Sequence, residues 1–390
     1  MLRFSTAGES HGQALLALVS GLPAGLTLDA PFVQRELWRR QQGYGRGGRM
    51  RIERDTAAFI AGIRNGATIG APVAIQIANH DWKNWEQTLA VETPAGDAAR
   101  PVMRPRPGHA DLAGALKFNF PEARYVLERA SARETAARVA AGALGKLLLR
   151  DLGIEVLSHV TAVGAAHLDP HVAATPEALR ALAARDAVLL HCIDAASEER
   201  MKAEVDQVLR TGDTIGGIFE VRAIGVPAGL GTCANWDERL DARLAQALVS
   251  IQAVKAAEIG DGVEVAGARG SLAQDPIGYD PGEHRFTRSA NHAGGIEGGI
   301  SNGQEVVVRG FLKPISTLRR PLASVDFATR EPVSAAYERS DVCVVPAAAV
   351  VGEAMVALVL AQAALEKFGG DSMLELRRNY NGYCQQLRSF

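Results

Sequence analysis

Residues 43 to 55 read GYGRGGRMRIERD, with four glycines and four arginines in thirteen positions. Gly43-x-Gly45-x-x-Gly48 matches the dinucleotide-binding fingerprint, and a true fingerprint would commit this part of the chain to a doubly wound parallel sheet. That fold needs a strand before the glycines and a helix after them. Here the flanks are reversed. Upstream, PFVQRELWRRQQ sets Val33, Leu37 and Arg40 at helical spacing behind Pro31, while downstream MRIERD alternates as a strand does. The order helix, glycine loop, strand argues against a Rossmann turn. Glycines let the backbone approach a ligand closely, and Arg40, Arg46, Arg49 and Arg51 can offer paired donors to phosphate or carboxylate oxygens. The stretch resembles a mobile anion clamp; the plainer alternative is a solvated loop.

Any such anion site must be local. The chain of 390 residues carries a net charge of −2, so a surface basic enough for nucleic acid or anionic membrane is not expected. Cys192, Cys233, Cys343 and Cys384 form no Cys-x-x-Cys pair, which speaks against a zinc ribbon or a disulfide framework and for reduced, cytoplasmic thiols. The opening MLRFSTAGESHG has no secretory apolar run, and its Glu9 is unlike a transit peptide. From Val344 to Leu365 the chain is apolar enough to raise the membrane question, but Pro346, Glu353 and Gln362 interrupt it, and an interior helix is expected.

Three further segments read as helices. In SARETAARVAAGALGKLLLRDLG, Ser131 and Glu134 have capping-box spacing and Gly153 can close a helix over 132–152. TPEALRALAARD has Thr175 as cap and Pro176 at the first helical position, and SEERMKAEVDQVLRTGD puts Met201, Val205 and Val208 on one face before Gly212. Runs such as IEVLSHVTAVGA, GGIFEVRAIGVPAGLG and GQEVVVRGFLKPI read as strands. Strands and helices mix without βαβ regularity, and no linker forces a domain boundary. A single domain over 1–390 follows, with a peripheral helical excursion near 160–210.

Chemistry gathers in short stretches. GESHG places His11 among small residues after the strand-like MLRFSTA, and RPRPGHAD sets Arg104 and Arg106 before His109, with Asp111 two residues on. Imidazoles there could exchange protons near neutral pH, with the arginines stabilising an anionic leaving group. LERASARETAARV gives a helix start carrying Arg129, Arg133 and Arg138, suited to phosphate, although an ordinary capped helix with solvated arginines has the same sequence. NHAGGIEGGISNG holds five glycines, so its backbone turns sharply or lies flush against a flat ligand, and KPIST offers an ammonium and two hydroxyls after the next strand. In ERSDVCVVPAA, Arg339 and Asp341 would share a side if extended; from the residues alone a surface ion pair is the plainer reading. Metal-ligand spacings, a Gly-x-Ser-x-Gly elbow and a Walker loop are absent.

Taken in order, GESHG, QQGYGRGGRM, RPGHAD, RASARETAARVAAG, GGIEGGISNG, KPIST, RSDVCVVPAA and EKFGGDS make the chain resemble the chorismate synthases over essentially its whole length. The resemblance implies an α+β fold, a β-α-β sandwich with long antiparallel strands and interior helices, assembled as a cytoplasmic homotetramer. It implies a lyase of the shikimate pathway to aromatic amino acids that eliminates phosphate from 5-enolpyruvylshikimate 3-phosphate, requiring reduced FMN without net redox change. By motif, His11 would assist protonation of the departing phosphate, His109 would protonate or hydrogen-bond the reduced flavin, and Asp341 would be the carboxylate acting through flavin N5. Arg40, Arg46, Arg49, Arg106 and Arg133 would hold the substrate's anions, with Ser10 beside His11. For the flavin the resemblance points to Arg129, Ala130, Ser131, Gln252, Ala253, Gly298, Lys313, Pro314, Ile315, Ser316, Thr317 and Arg339. Some members reduce their own flavin with NADPH, and Arg40 and Arg46 could meet a dinucleotide phosphate.

Two stretches depart from the family pattern. Lys255 to Glu258 reads KAAE where Lys-Gly-Val-Glu is usual, and Ala256 lacks glycine's access to positive φ. After RPGHAD, a charged, histidine-bearing segment is replaced by KFNFPEAR, Lys117 to Arg124. Two rival functions are weaker. An NAD(P)-dependent oxidoreductase fails on the reversed flanks, and a module for RNA or phosphoproteins built on the Gly/Arg loop would have only Tyr44 for stacking.

Overall fold

Ala14–Ser20 reads ALLALVS, and its side chains alternate: Leu15, Ala17 and Val19 are buried, Leu16 and Leu18 exposed. A strand of this kind offers one face to a core. The computed structural model describes residues 1–47, 53–93, 95–338 and 340–390. Its principal elements are, in chain order, β1 (Arg3–Ala7), β2 (Ala14–Ser20), α1 (Ala30–Gln41), β3 (Ala57–Ala61), β4 (Val73–Ala78), α2 (Asp111–Phe118), α3 (Arg124–Ala130) and α4 (Thr135–Asp151). There follow β5 (Glu155–Val163), β6 (Ala166–His167), α5 (Pro176–Ala183), α6 (Ala195–Thr211), β7 (Gly217–Ile224), α7 (Leu240–Val249), β8 (Val254–Ile259), β9 (Val306–Leu312), α8 (Val345–Phe368) and α9 (Met373–Ser389).

The larger strands form two antiparallel sheets, in the orders β1-β2-β4-β3 and β8-β9-β7-β5-β6. Helix α4 lies on β2 and β4, α8 lies on β5 and β7, and the two helices pack against each other. Their close approach requires a small residue: a Cβ added at Gly142 would stand 2.4 Å from the Cβ of Ala354. The fold is therefore α+β. Twenty of the 24 residues of α8 are buried, so this helix, long and apolar enough to cross a bilayer, is spent inside the protein.

Several local expectations are met by the capping geometry. Thr175 caps α5 through Ala178 N–H at 3.2 Å, and Gly212 closes α6 in the left-handed region at φ 75°. Two others are corrected. Of MRIERD, residues 50–52 lie outside the described ones, and Glu53 to Asp55 are not strand; β3 begins at Ala57. Glu53 and Asp55 turn inward instead, because the buried Arg133 and Arg40 need counter-charges. Ser131 does cap, accepting Arg133 N–H at 3.3 Å, but Glu134 does not complete the box. Its carboxylate takes the Thr6 hydroxyl at 2.6 Å and Arg138 at 2.9 Å, and the first three residues form a 3-10 turn before α4 proper. Ala256 sits in β8 opposite Phe311, next to a bulge; the positive φ falls on Ala253, at 69°.

Between the helices lies a buried ionic network. Glu353 of α8 is fully buried and accepts two bonds from Arg39 of α1, both 2.7 Å, one from Ser158 of β5 at 2.6 Å, and one from Lys146 of α4. Glu36 binds Arg39 at 2.8 Å and Lys146 at 2.6 Å. Two cations and two carboxylates balance only while the adjoining His191 is neutral. Burial, followed by the charge of Arg39, pushes the His191 pKa down from 6.5 to about 3. In that window the unfolded chain binds the extra proton, so the stabilisation is complete above pH 6.5 and is lost as pH falls toward 3. The protein should therefore be less stable at pH 5 than at pH 7 by about 2 kcal/mol from this group. His191→Asn, tolerated at φ 60°, should flatten that slope in urea unfolding. An unchanged slope would assign the proton uptake to other groups.

Candidate active site

The loop after β1 brings Ser10 and His11 to the end of α3. Ser10 N–H donates to the Glu128 carbonyl at 2.9 Å, and the Ser10 hydroxyl meets Ser131 Oγ at 3.1 Å. His11 is held twice by Glu128: its main-chain N–H donates to Oε2 at 2.8 Å, and Nδ1 lies 3.0 Å from both carboxylate oxygens. Its ring stacks on Trp85, with centroids 4.1 Å apart. Burial works against ionisation of Glu128, but the hydrogen bond and charge of His11, together with Arg124, hold its carboxyl below the usual range. With Nδ1 held against Glu128, the ring is fixed in orientation at the cavity wall.

The second imidazole is supported in the same way. Asp111 opens α2 and is fully buried, accepting His109 Nδ1 at 2.5 Å, Arg106 Nε at 2.8 Å and Arg106 N–H at 3.1 Å. Against the desolvation that burial imposes, these bonds and charges keep Asp111 ionised well below the usual carboxylate range. Arg106 spends another donor on Thr317 Oγ1 at 2.9 Å.

Both imidazoles line one cavity of about 1010 Å³. Arg40, Arg46, Arg106, Arg133, Ala130, Ser131, Gln252, Ala253, Asp341 and the run from Lys313 to Thr317 share its wall with Ser10, His11 and His109. The arginines are not bare. Arg40 donates to Asp55 at 3.1 Å, Thr135 at 2.9 Å and the Ala132 carbonyl at 3.1 Å, and Arg133 donates to the same Asp55 at 2.5 Å. Burial first, then the charges of Arg133 and Arg46, outweigh Asp55 and lower the Arg40 pKa to about 10, which still leaves it a cation at neutral pH. Arg46 lies 3.3 Å from Asp341, whose other oxygen accepts Gly47 N–H at 2.5 Å. Glycine is needed at 47, since a Cβ would sit 2.9 Å from the Ser340 carbonyl. The loop is also tied to the excursion, because the Tyr44 hydroxyl donates to Asp206 of α6 at 2.6 Å.

Two of the expected flavin residues stand apart from the cavity wall. Gly298 is exposed on a turn between the short paired segments Ile296–Glu297 and Ile300–Ser301, and Arg129 directs its guanidinium to the Thr6 and Gly8 carbonyls at 2.9 and 3.1 Å. Gly48, Arg49, Arg51 and Arg339 lie outside the described residues. Sequence reasoning missed the counter-acids Asp55, Glu53 and Glu128 and the ring Trp85. It noted Asp111 only as a neighbour of His109. A buried guanidinium needs a partner, and Arg40, Arg46, Arg106 and Arg133 each have a carboxylate beside them. KFNFPEAR is accommodated by Asn119 in the left-handed region at φ 57° and by Glu122, which accepts the N–H groups of Val102 and Arg124.

A cavity of this size, with two carboxylate-supported imidazoles and a wall of ion-paired arginines, has the lining of an enzyme active site suited to a small anion. The sequence model of chorismate synthase matches residues 2–365. The chain is 67% identical to the chorismate synthase of Koribacter versatilis over 397 aligned positions and 65% identical to that of Acidobacterium capsulatum over 395, each covering 100% of both proteins. A crystal structure of chorismate synthase, 39% identical, superposes with a TM-score of 0.79 and covers 100% of this chain and 99% of the other. The chain belongs to the chorismate synthase family.

Proposed function

We propose that the chain converts 5-enolpyruvylshikimate 3-phosphate into chorismate and inorganic phosphate by 1,4-elimination with reduced FMN. The observation that carries this reading is the convergence of His11, His109 and the paired arginines, from distant parts of the chain, on one cavity. Arg40, Arg46, Arg106 and Arg133 orient the phosphate and two carboxylates of the substrate, with Arg49 assigned by motif only. His11 protonates the leaving phosphate while Glu128 holds its ring at Nδ1, and His109 donates toward the cavity while Asp111 steadies it. Asp341, held by Gly47 and Arg46, is the carboxylate that accepts a proton.

The wall also fits a flavin. Gln252 Oε1 is buried without a hydrogen-bond partner among the described residues, an acceptor suited to a ring N–H. Lys313, bound to the Gly108 carbonyl at 2.8 Å and Ser316 at 3.2 Å, supplies a cation beside Ser316 and Thr317. Ala130, Ser131, Ala253, Pro314 and Ile315 would complete the contact, with Arg129, Gly298 and Arg339 resting on motif alone. When bound, reduced FMN supplies electron density to the breaking carbon–oxygen bond and recovers it.

The layer order sheet, α4, α8, sheet supports a β-α-β sandwich, and a core running from Leu2 to Leu376 supports a single domain with α5 and α6 at its edge. A cytoplasmic homotetramer is inferred from the family. Free rather than paired cysteines at 192, 233, 343 and 384 suit a reducing compartment. Anaerobic turnover of the enolpyruvyl substrate with dithionite-reduced FMN should yield chorismate. Folded protein giving none would end the assignment. A second arm with NADPH and oxidised FMN asks whether the chain reduces its own flavin through Arg40 and Arg46.

A further inference from the structure

Each arginine assigned above to the substrate, among those described, already has an acid beside it. Arg40 and Arg133 share Asp55, Arg106 lies against Asp111, and Arg46 against Asp341. Arg100 differs. It lines the cavity and is exposed, and no carboxylate among the described residues lies within ion-pair distance of it. Its guanidinium carbon sits 4.8 Å from the centroid of Trp85, a cation–π contact that orients a cation without neutralising it.

Trp85 is the ring on which His11 stacks, and its indole N–H is fixed by Asp81 at 3.2 Å. The main chain of Arg100 is anchored to the same support, because its carbonyl accepts Arg124 Nε at 2.8 Å while Arg124 lies 3.3 Å from Glu128, the partner of His11. A guanidinium with no carboxylate partner among the described residues and the His11 ring are thus mounted on one indole. A paired guanidinium must share its attraction with its acid, whereas an unpaired one at the wall can give all of it to an incoming dianion.

We propose that Arg100 binds the phosphate group of the substrate beside His11 and retains inorganic phosphate as product leaves. This rests on the lyase reading above. The test is Arg100→Gln and Arg100→Lys, run beside wild type in the anaerobic assay, with inorganic phosphate as inhibitor. R100Q should raise KM about tenfold with a smaller change in kcat, and weaken inhibition by phosphate by a similar factor. R100K should recover part of both. Retained FMN binding shows that the variants are folded. A KM within about twofold of wild type overturns the proposal. A raised KM with unchanged phosphate inhibition overturns it too, placing Arg100 on a carboxylate. A readout free of turnover is protection against thermal unfolding by inorganic phosphate, which wild type should show and R100Q should lose. If wild type makes no chorismate yet shows that protection, the lyase reading fails while the anion site stands.

Discussion

Asp111→Asn is expected to lower turnover by about 10²- to 10³-fold, within the range that correct placement of a general acid or base supplies. One oxygen accepts from His109 Nδ1 and Arg106 Nη2, the other from Arg106 Nε and the Arg106 main-chain N–H. An amide has one oxygen and one NH₂ group. Whichever way it is turned, a donor faces either His109 or Arg106, so the imidazole loses its fixed tautomer or the arginine its partner. His109→Ala should cost at least as much in turnover and far less in flavin affinity. The two substitutions act on one unit, so the double variant should be little worse than the single ones. Turnover, FMN affinity and the urea midpoint should be measured on all three. Asp111→Asn within about threefold of wild-type turnover, or additive losses, would dismiss the idea that Asp111 works through His109.

Glu353→Ala should destabilise the protein by about 3–5 kcal/mol, since removing one partner of a buried ion network strands the others. Glu353 is fully buried, and although burial opposes its ionisation, Arg39 and Lys146 hold its carboxyl well below the ordinary range. Without it, two cations would face only Glu36, and Ser158 would lose its acceptor. Urea unfolding monitored by helix content measures the loss. Less than about 1 kcal/mol would show that the cations find other partners, and the network would not be what registers α1, α4 and α8 against one another.

Much of the secondary structure was legible. Thr175 with Pro176, Gly212 at the end of α6 and the apolar run of α8 carry local signals that act over a few residues, and the capping geometry agrees with them. Glu53 to Asp55 misled because their alternation is that of acids facing arginines, and alternation looks the same whatever lies on the inner side. His11 and His109 were legible as titratable rings in small-residue loops, but Glu128 and Trp85 carried no comparable mark. Glu128 is 117 positions from the ring it holds, and Asp55 is 78 from Arg133.

Sequence alone determined where α5 begins and where α6 ends, that the glycine–arginine loop follows a helix, and which residue types could handle a phosphorylated acid. These depend on backbone preference and on side-chain chemistry, both local. Only the folded chain decided which acid neutralises which arginine, which carboxylate holds each imidazole, and that Arg100 lines the cavity with no carboxylate partner among the described residues. Electrostatic pairing is set by distance in space, and two antiparallel sheets closing on a pair of helices bring together residues with no relation along the chain.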